Sequence, residues 1–560
     1  MGVGASRTEQ RALAAGGGLQ ATPVEFEPCQ SVPQAGVLLL LPFLEQSGLF
    51  SFREHYQELD SGYYYIDCII LFLAFMYLRR IKNPEQLKYH SPGEFGKILG
   101  LDRVPEAKCL RGKLRQLCEQ GASEAWNMAL AKRWAAHEEN EFYYIDGHIQ
   151  VYSGYKATLG KKHVSRQKLC LPGIQEFWVN NPDGLPYFYV TGQVNEKLLE
   201  TLKTEIIPRL LTQMPARYTE KELQQDPELP RFTMVFDREA YSPVFFQTLW
   251  QEHRIAVITY RKYVKDPWDE KDFSSCSLDI EGNQTTMELA EKPVVLNKVA
   301  MREVRRLSGR HQTSVITTNK KLSLSMVAFY MFSRWTQENF FKYLRQDYDF
   351  DRMLQYAVQQ LDSELVVNNP EYNNKTYHLG KLREKISRRK AALYDLQEKN
   401  LNDDLDKANH YLDKQLEITE QLHHLQCRET ELLDQRSRLP SRIKIKDMDE
   451  RIRYNKLHTE SKRFQNMIKM ICYRAETSCA NLLSSGFEKS LNEKRALVKS
   501  IIFSHGDILP DYTNNTLTVS IYSQANPRMN HALETTLELL NQTETIYPGT
   551  NLVLNYKIAT

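Results

Sequence analysis

The sequence predicts a mixed α/β fold: a sheet core with a β-rich insertion, a helical domain before it, and a long helical hairpin and small α/β tail after it. Three observations carry this. β-branched, aromatic and apolar runs bounded by turn residues recur between Phe142 and Thr318. Helical patterns separate several of these runs, which lays helices against a sheet. Beyond Leu379, leucines recur at helical spacing.

The bulk properties bound the rest. A chain of 560 residues is too long for one ordinary core. With 42% hydrophobic and 26% charged residues it is globular, not disordered. A formal charge of +3 excludes a histone-like polycation, so any nucleic-acid surface is a local patch. Nine cysteines without a CxxC pair argue against a disulfide framework or zinc ribbon. They fit reduced thiols in a cytoplasmic protein. The N-terminus lacks the apolar stretch of a signal peptide.

Taken in order, residues 1–35 read as a flexible tail and 36–135 as a helical, DNA-binding domain. Tyr63–Leu78 is apolar but contains Asp67 and falls short of the roughly 20 residues a bilayer needs, so it reads as a buried core helix. Ser91–Leu99, Gly100 and Pro105–Leu117 form either a helix-turn-helix or an ordinary helical hairpin, with Lys108, Arg111, Lys113 and Arg115 outward. Residues 140–350 hold the sheet. Strands are expected near Phe142–Asp146 and Gln150–Tyr152, then Gln167–Val179, Pro186–Thr191, Phe232–Asp237, Arg254–Tyr260 and Gln312–Thr318. A helix from Asn195 to Leu211 follows the first three strands, and a polar, β-leaning insertion spans 261–311. One long helix is expected over Ser323–Gln346. Residues 375–505 read as two long helices joined across Pro440, an oligomerisation hairpin with a stripe of Leu379, Leu382, Ile386 and Leu393, continued by Leu405 and Leu412. The heptad phase slips near Asn400. Residues 506–560 read as a small α/β unit.

Three acids stand out. Asp146 and Asp237 each end an apolar strand, and Glu338 lies inside the long helix. A single strand-end Asp is usually a turn or cap residue. Three converging carboxylates, however, repel one another unless cations neutralise them, and an all-oxygen set suits Mg²⁺. Two such ions about 3.5–4 Å apart can activate a water or hydroxyl and stabilise the leaving oxygen of a phosphodiester. Arg334, Glu338, Phe341 and Arg345 share one helix face, which puts arginines for DNA phosphates on both sides of the acid. A solvated ion pair is the plainer alternative. His148, two residues after Asp146, reads as an ordinary satisfied histidine or as support for the acids.

With these residues the sequence resembles the bacterial insertion-sequence transposases of the DDE class, in particular the cut-and-paste group with a β insertion before the Glu. The helix motif of that group is Tyr-x2-Arg-x3-Glu-x6-Lys. Here Arg334 and Glu338 match, Arg345 replaces the Lys, and Tyr330 stands one residue early, with Met331 at the Tyr position. The resemblance implies a ribonuclease-H-like core, Asp146, Asp237 and Glu338 as catalytic and metal-binding residues, and Mg²⁺ as cofactor with Mn²⁺ as substitute. It implies double-stranded DNA as partner, at transposon ends and target, and a homodimer that pairs two ends. It also implies association with the nucleoid. No membrane partner is expected.

Basic residues flank this core. Lys156, Lys161, Lys162, His163, Arg166 and Lys168 follow the first acid, and Lys298, Arg302, Arg305, Arg306 and Arg310 precede the last core strand. Each cluster is either a path for DNA phosphates or a solvated rim. The expected function is hydrolysis of a phosphodiester at a transposon end, followed by strand transfer. Its rivals are a nuclease that cuts without joining, and a domesticated, inactive DNA-binding or scaffolding protein with the same fold.

Overall fold

A computed structural model describes residues 4–59, 62–164, 166–192, 196–264, 266–280, 283–352, 358–397, 405–450, 452–457, 459–483, 487 and 489–559. Asn195 and Asn400 lie outside the described residues, as does the side chain of Leu405.

The first 35 residues are not a free tail. Thr8–Ala15 is a helix and Cys29–Val32 is a strand, β1. The small-residue composition conceals a few strong anchors. Arg11 pairs with Asp102 at 2.5 Å and lies over the Tyr63 ring, and Phe26 meets Tyr547 edge-on. β1 pairs with the strand Gly506–Asp511, so the N-terminal segment completes a four-stranded sheet with Gly506–Asp511, Thr516–Ile521 and Val553–Ile558.

Ile66–Leu78 is a helix buried along nearly its whole length. Among the described residues no helix is long and apolar enough to cross a membrane. Pro92–Ile98 and Ala107–Glu119 are helices joined through Gly100, whose φ of +63° makes the turn. Lys108, Arg111 and Arg115 face outward, but Lys113 is buried.

Ten strands make the central sheet. They are β2 (Phe142–Val151), β3 (Lys161–Val164), β4 (Leu169–Asn180), β5 (Pro186–Thr191), β6 (Phe232–Phe236), β7 (Ile255–Tyr260), β8 (Ser274–Ile280), β9 (Asn283–Leu296), β10 (Val299–Ser308) and β11 (His311–Thr317). Their order is β3-β4-β2-β6-β7-β11-β10-β9-β8, with β5 also on β4. β2, β6 and β7 run parallel, and the remaining pairings are antiparallel. The fold is thus mixed α/β, and the insertion does not stand apart: its strands β8–β10 extend the core sheet beyond β11.

The expected long helix is two helices, Leu324–Phe332 and Trp335–Tyr348. The break at Ser333–Arg334 has no Pro or Gly to announce it. Contact with the Asn181–Gly184 turn sets it: Thr336 Oγ1 donates to Pro182 O at 2.9 Å. Gly184 sits at φ +79°, and a Cβ there would lie 2.7 Å from Thr336 O. Only glycine lets the turn press so closely on the new helix.

The hairpin also differs from expectation. Its helices are Pro370–Gln397 and Leu405–Ser437, so the two arms that pack together both precede Pro440. Leu382, Ile386, Ile418 and Leu422 bury against one another between them. The second expected arm, Glu460–Leu482, is instead a central helix covered on nearly every side. Its spaced polar residues give it an amphipathic appearance in sequence, yet they are buried in pairs: Lys462 with Glu176 at 2.5 Å, Arg474 with Glu138 at 2.6 Å, and Glu476 with Arg80 at 2.7 Å. Asn541 closes the helix Pro527–Asn541 of the C-terminal sheet.

Candidate active site

Side chains alternate across a strand, so Tyr144, Asp146 and His148 share one face of β2. They meet the two consecutive helices in turn. Tyr144 Oη donates to Tyr330 O at 2.7 Å. Asp146 Oδ1 lies 3.5 Å from the Arg334 guanidinium. His148 stacks on Phe341 at 4.9 Å and pairs with Asp351 at 2.5 Å, so it is a satisfied histidine.

β6 lies parallel to β2 with Phe236 opposite Ile145, which brings Asp237, just past the end of β6, beside Asp146. Asp146 does not end its strand as expected but stands in the middle of β2, because β2 continues along β4 to Val151. Asp237 also serves as a cap: its Oδ1 accepts from Glu239 N at 2.7 Å, which leaves the second oxygen available. Glu338 is exposed on the Trp335–Tyr348 helix, one turn after Arg334, whose carbonyl takes the Glu338 N–H at 3.4 Å. The preceding Gln337 is buried and donates to Trp178 O at 3.3 Å and Asn180 Oδ1 at 2.9 Å, tying this helix to β4.

Asp146 senses the other two acids. Burial pushes the Asp146 carboxyl up to about 6; Arg334 pulls it down, and the Asp237 and Glu338 charges push it up. Arg334 is the local cation, and its Nε is buried without a hydrogen-bond partner among the described residues. Among the described residues no three His, Cys, Asp or Glu side chains are close enough to hold one ion as they stand. The donor chemistry still fits a hard divalent cation: three carboxylates, all oxygen, with mutual repulsion for a cation to relieve.

The basic residues divide. Arg345 flanks the acids on the far side from the insertion. Burial, and then the nearby Arg166 charge, draws its guanidinium below the ordinary range. Lys161 is exposed on β3, whereas Lys162 faces a cavity of about 350 Å³ that Gln175 and Thr191 also line. Arg302, Arg305 and Arg306 do not form one patch, because strand alternation splits them. Arg305 is 3% exposed and spends its guanidinium on Glu303 at 2.7 Å, Asp266 O and Gln312. Arg302 is clamped by Glu291 at 2.5 Å and by the carbonyls of Asn319 and Leu322. Both guanidiniums are thus paired within the chain instead of lying open as expected of DNA contacts. Arg306 alone of the three keeps a guanidinium without a carboxylate partner among the described residues.

The sequence reading passed over Arg238 and Tyr260. Arg238 directly follows Asp237, and its guanidinium lies 5.9 Å from the Tyr260 ring. The adjacency to Asp237 was a usable signal for Arg238; the place of Tyr260 depends on the β7–β11 pairing and had none. Asp351 was also passed over; it holds both His148 and Arg166, the latter at 2.8 Å.

A family model described as transposase protein matches residues 2–560. No curated protein and no solved structure matches the chain.

Proposed function

Because the chain belongs to a family of transposase proteins, we propose that Asp146, Asp237 and Glu338 are its catalytic centre, a DDE site on a ribonuclease-H-like core. The core strand order β5-β4-β2-β6-β7, a meander followed by two parallel strands, supports that fold. The observation that carries the reading is the placement of Asp146 3.5 Å from Arg334 and beside Asp237 on the adjacent parallel strand.

Mg²⁺, with Mn²⁺ as substitute, supplies when bound the Lewis acidity that polarises a phosphodiester and the hydroxyl attacking it. Asp146 and Asp237 would hold the cation from two adjacent strands, β2 and β6. Glu338, exposed on the helix one turn after Arg334, would complete the set. Arg334 neutralises Asp146; with a cation in that role it would be free to take a phosphate oxygen, and Arg345, with Lys161 and Lys162 on the β3 side, would receive the strand further along. One phosphodiester is hydrolysed at a transposon end to free a 3′-OH. That hydroxyl then attacks a target phosphodiester, so one P–O bond forms as another breaks.

Joining two ends calls for two protomers. Leu412 and Leu416 are 56% and 62% exposed on the outer face of Leu405–Ser437, one turn apart, and form the stripe available to a partner copy.

The test is cleavage and strand transfer on a plasmid carrying the element with its own flanking termini. Asp146→Asn, Asp237→Asn and Glu338→Gln each abolish both activities while DNA binding persists. Cleavage without joining in the parent protein favours a nuclease; no cleavage by the parent protein favours an inactive scaffold.

A further inference from the structure

A second cationic group lies beside the acids, on the insertion side. Tyr260 and Arg306 project from the same sheet face: Tyr260 stands opposite Val315 on β11, and Arg306 opposite Thr313, two residues along. Phe332, at the end of the Leu324–Phe332 helix, lies between them. Its ring centroid is 6.5 Å from that of Tyr260 and 5.1 Å from the Arg306 guanidinium. Arg238 covers the other side of Tyr260 at 5.9 Å.

This group differs from the other arginines nearby. Arg261, Arg302 and Arg305 are each neutralised by Glu303 or Glu291. Arg238 and Arg306 have no carboxylate within ion-pair distance among the described residues. Each lies over an aromatic ring, which steadies the stem while the planar N–H fork keeps its donors. The Tyr260 phenol is raised by burial, and the charges it senses are those of Arg334, Glu338, Arg238 and Arg306. The group therefore adjoins Glu338 and Arg334, yet contains no acid of its own. Two unneutralised forks around a hydroxyl donor match the oxygens of a phosphodiester, a singly charged group with several acceptors.

We infer that Arg238, Tyr260 and Arg306 form a phosphate-binding site that grips the backbone of the cut DNA strand on the insertion side of Asp146, Asp237 and Glu338. This rests on the reading of those acids as the cutting centre. With Arg345 two turns beyond Glu338 on the same helix, the strand is held on both sides of the scissile phosphate. Its course is thereby set, from the insertion across the acids toward β3. Two-sided anchoring fixes the phosphate for in-line attack.

The full-length protein and a labelled duplex bearing the terminus next to the gene test this. Binding is measured across a salt series. Arg238→Ala and Arg306→Ala should each reduce the slope of log K against log[salt] by about one. Arg306→Gln, which keeps the stem on Phe332, should do the same and guards against an unfolded alanine variant. A scan of duplexes with a single neutral methylphosphonate locates the contact. Substitution at one phosphate beside the cleaved bond should weaken the parent protein but leave Arg306→Gln no weaker. Parental slopes in Arg238→Ala and Arg306→Gln, or methylphosphonate losses additive with Arg306→Gln at every position, overturn the site. Cleavage retained by Glu338→Gln overturns the underlying reading instead, and the binding slopes are scored without reference to it.

Discussion

Asp146 and Arg334 stand 3.5 Å apart, one in the middle of a strand and the other at the break between two helices. The pair depends on two local facts. Alternation along β2 turns Asp146 toward the helices, and the Asn181–Gly184 turn forces a new helix to begin after Arg334. A straight helix would carry Arg334 and Glu338 elsewhere relative to β2.

Gly184→Ala tests that dependence. The φ of +79° and the 2.7 Å approach to Thr336 O both penalise a Cβ. A loss of about 1–3 kcal/mol is expected from chemical unfolding. Cleavage should fall further than this loss alone would bring, because the helix carrying Glu338 shifts. Parental stability and cleavage would remove the turn from the account.

The two faces of β10 should respond differently. Arg305→Ala leaves Glu303 buried with one cation fewer and should lower stability by about 3 kcal/mol, read by thermal unfolding. Arg306→Ala, on the other face, should leave the melting temperature nearly unchanged. Equal melting temperatures for the two variants would refute this division.

Lys469 gives a pH signature. It is 3% exposed on the central helix. Burial, and then the Lys462 charge, lowers its ammonium from 10.5 to about 7. Between those values the unfolded chain holds a proton that the folded chain has released, so this lysine's contribution makes stability rise with pH from about 7 and level off near 10.5. Lys469→Met should therefore be more stable at neutral pH, by a few kcal/mol in order of magnitude. The gain should vanish as pH approaches 10. Unfolding at pH 7 and pH 9.5 measures it, and a gain of the same size at both contradicts the shift.

The hairpin separates packing from assembly. Leu422→Glu buries a charge in the inner seam and should melt the hairpin. Leu412→Glu with Leu416→Glu should leave it folded, because both side chains are mostly exposed. Light scattering on the DNA complex should then find this variant monomeric. A dimer of unchanged mass would release the outer stripe from that role.

Much of the sheet was legible because its strands are short apolar runs between turns, and Asp146 and Asp237 are visible as acids ending two such runs. Glu338 was legible through its spacing from Arg334. What escaped depends on contacts distant in sequence. Nothing local to Ser333 announces a helix break made by Pro182 and Gly184. A run such as Arg302, Arg305 and Arg306 reads as one patch until strand pairing assigns each residue a face. Glu460–Leu482 looked like half of a hairpin because its buried Lys462, Lys469 and Arg474 imitate a solvated side. The first 35 residues looked loose because the partner of Phe26, Tyr547, is more than five hundred residues away.

The central claim is that Asp146, Asp237 and Glu338 serve one cation site. Its most direct measurement is Mn²⁺ binding to the protein–DNA complex, followed by electron paramagnetic resonance. The parent complex should bind the ion, and Asp146→Asn, Asp237→Asn and Glu338→Gln should each weaken that binding at least tenfold, about 1.4 kcal/mol, with DNA affinity retained. Parental Mn²⁺ affinity in all three variants would contradict the account.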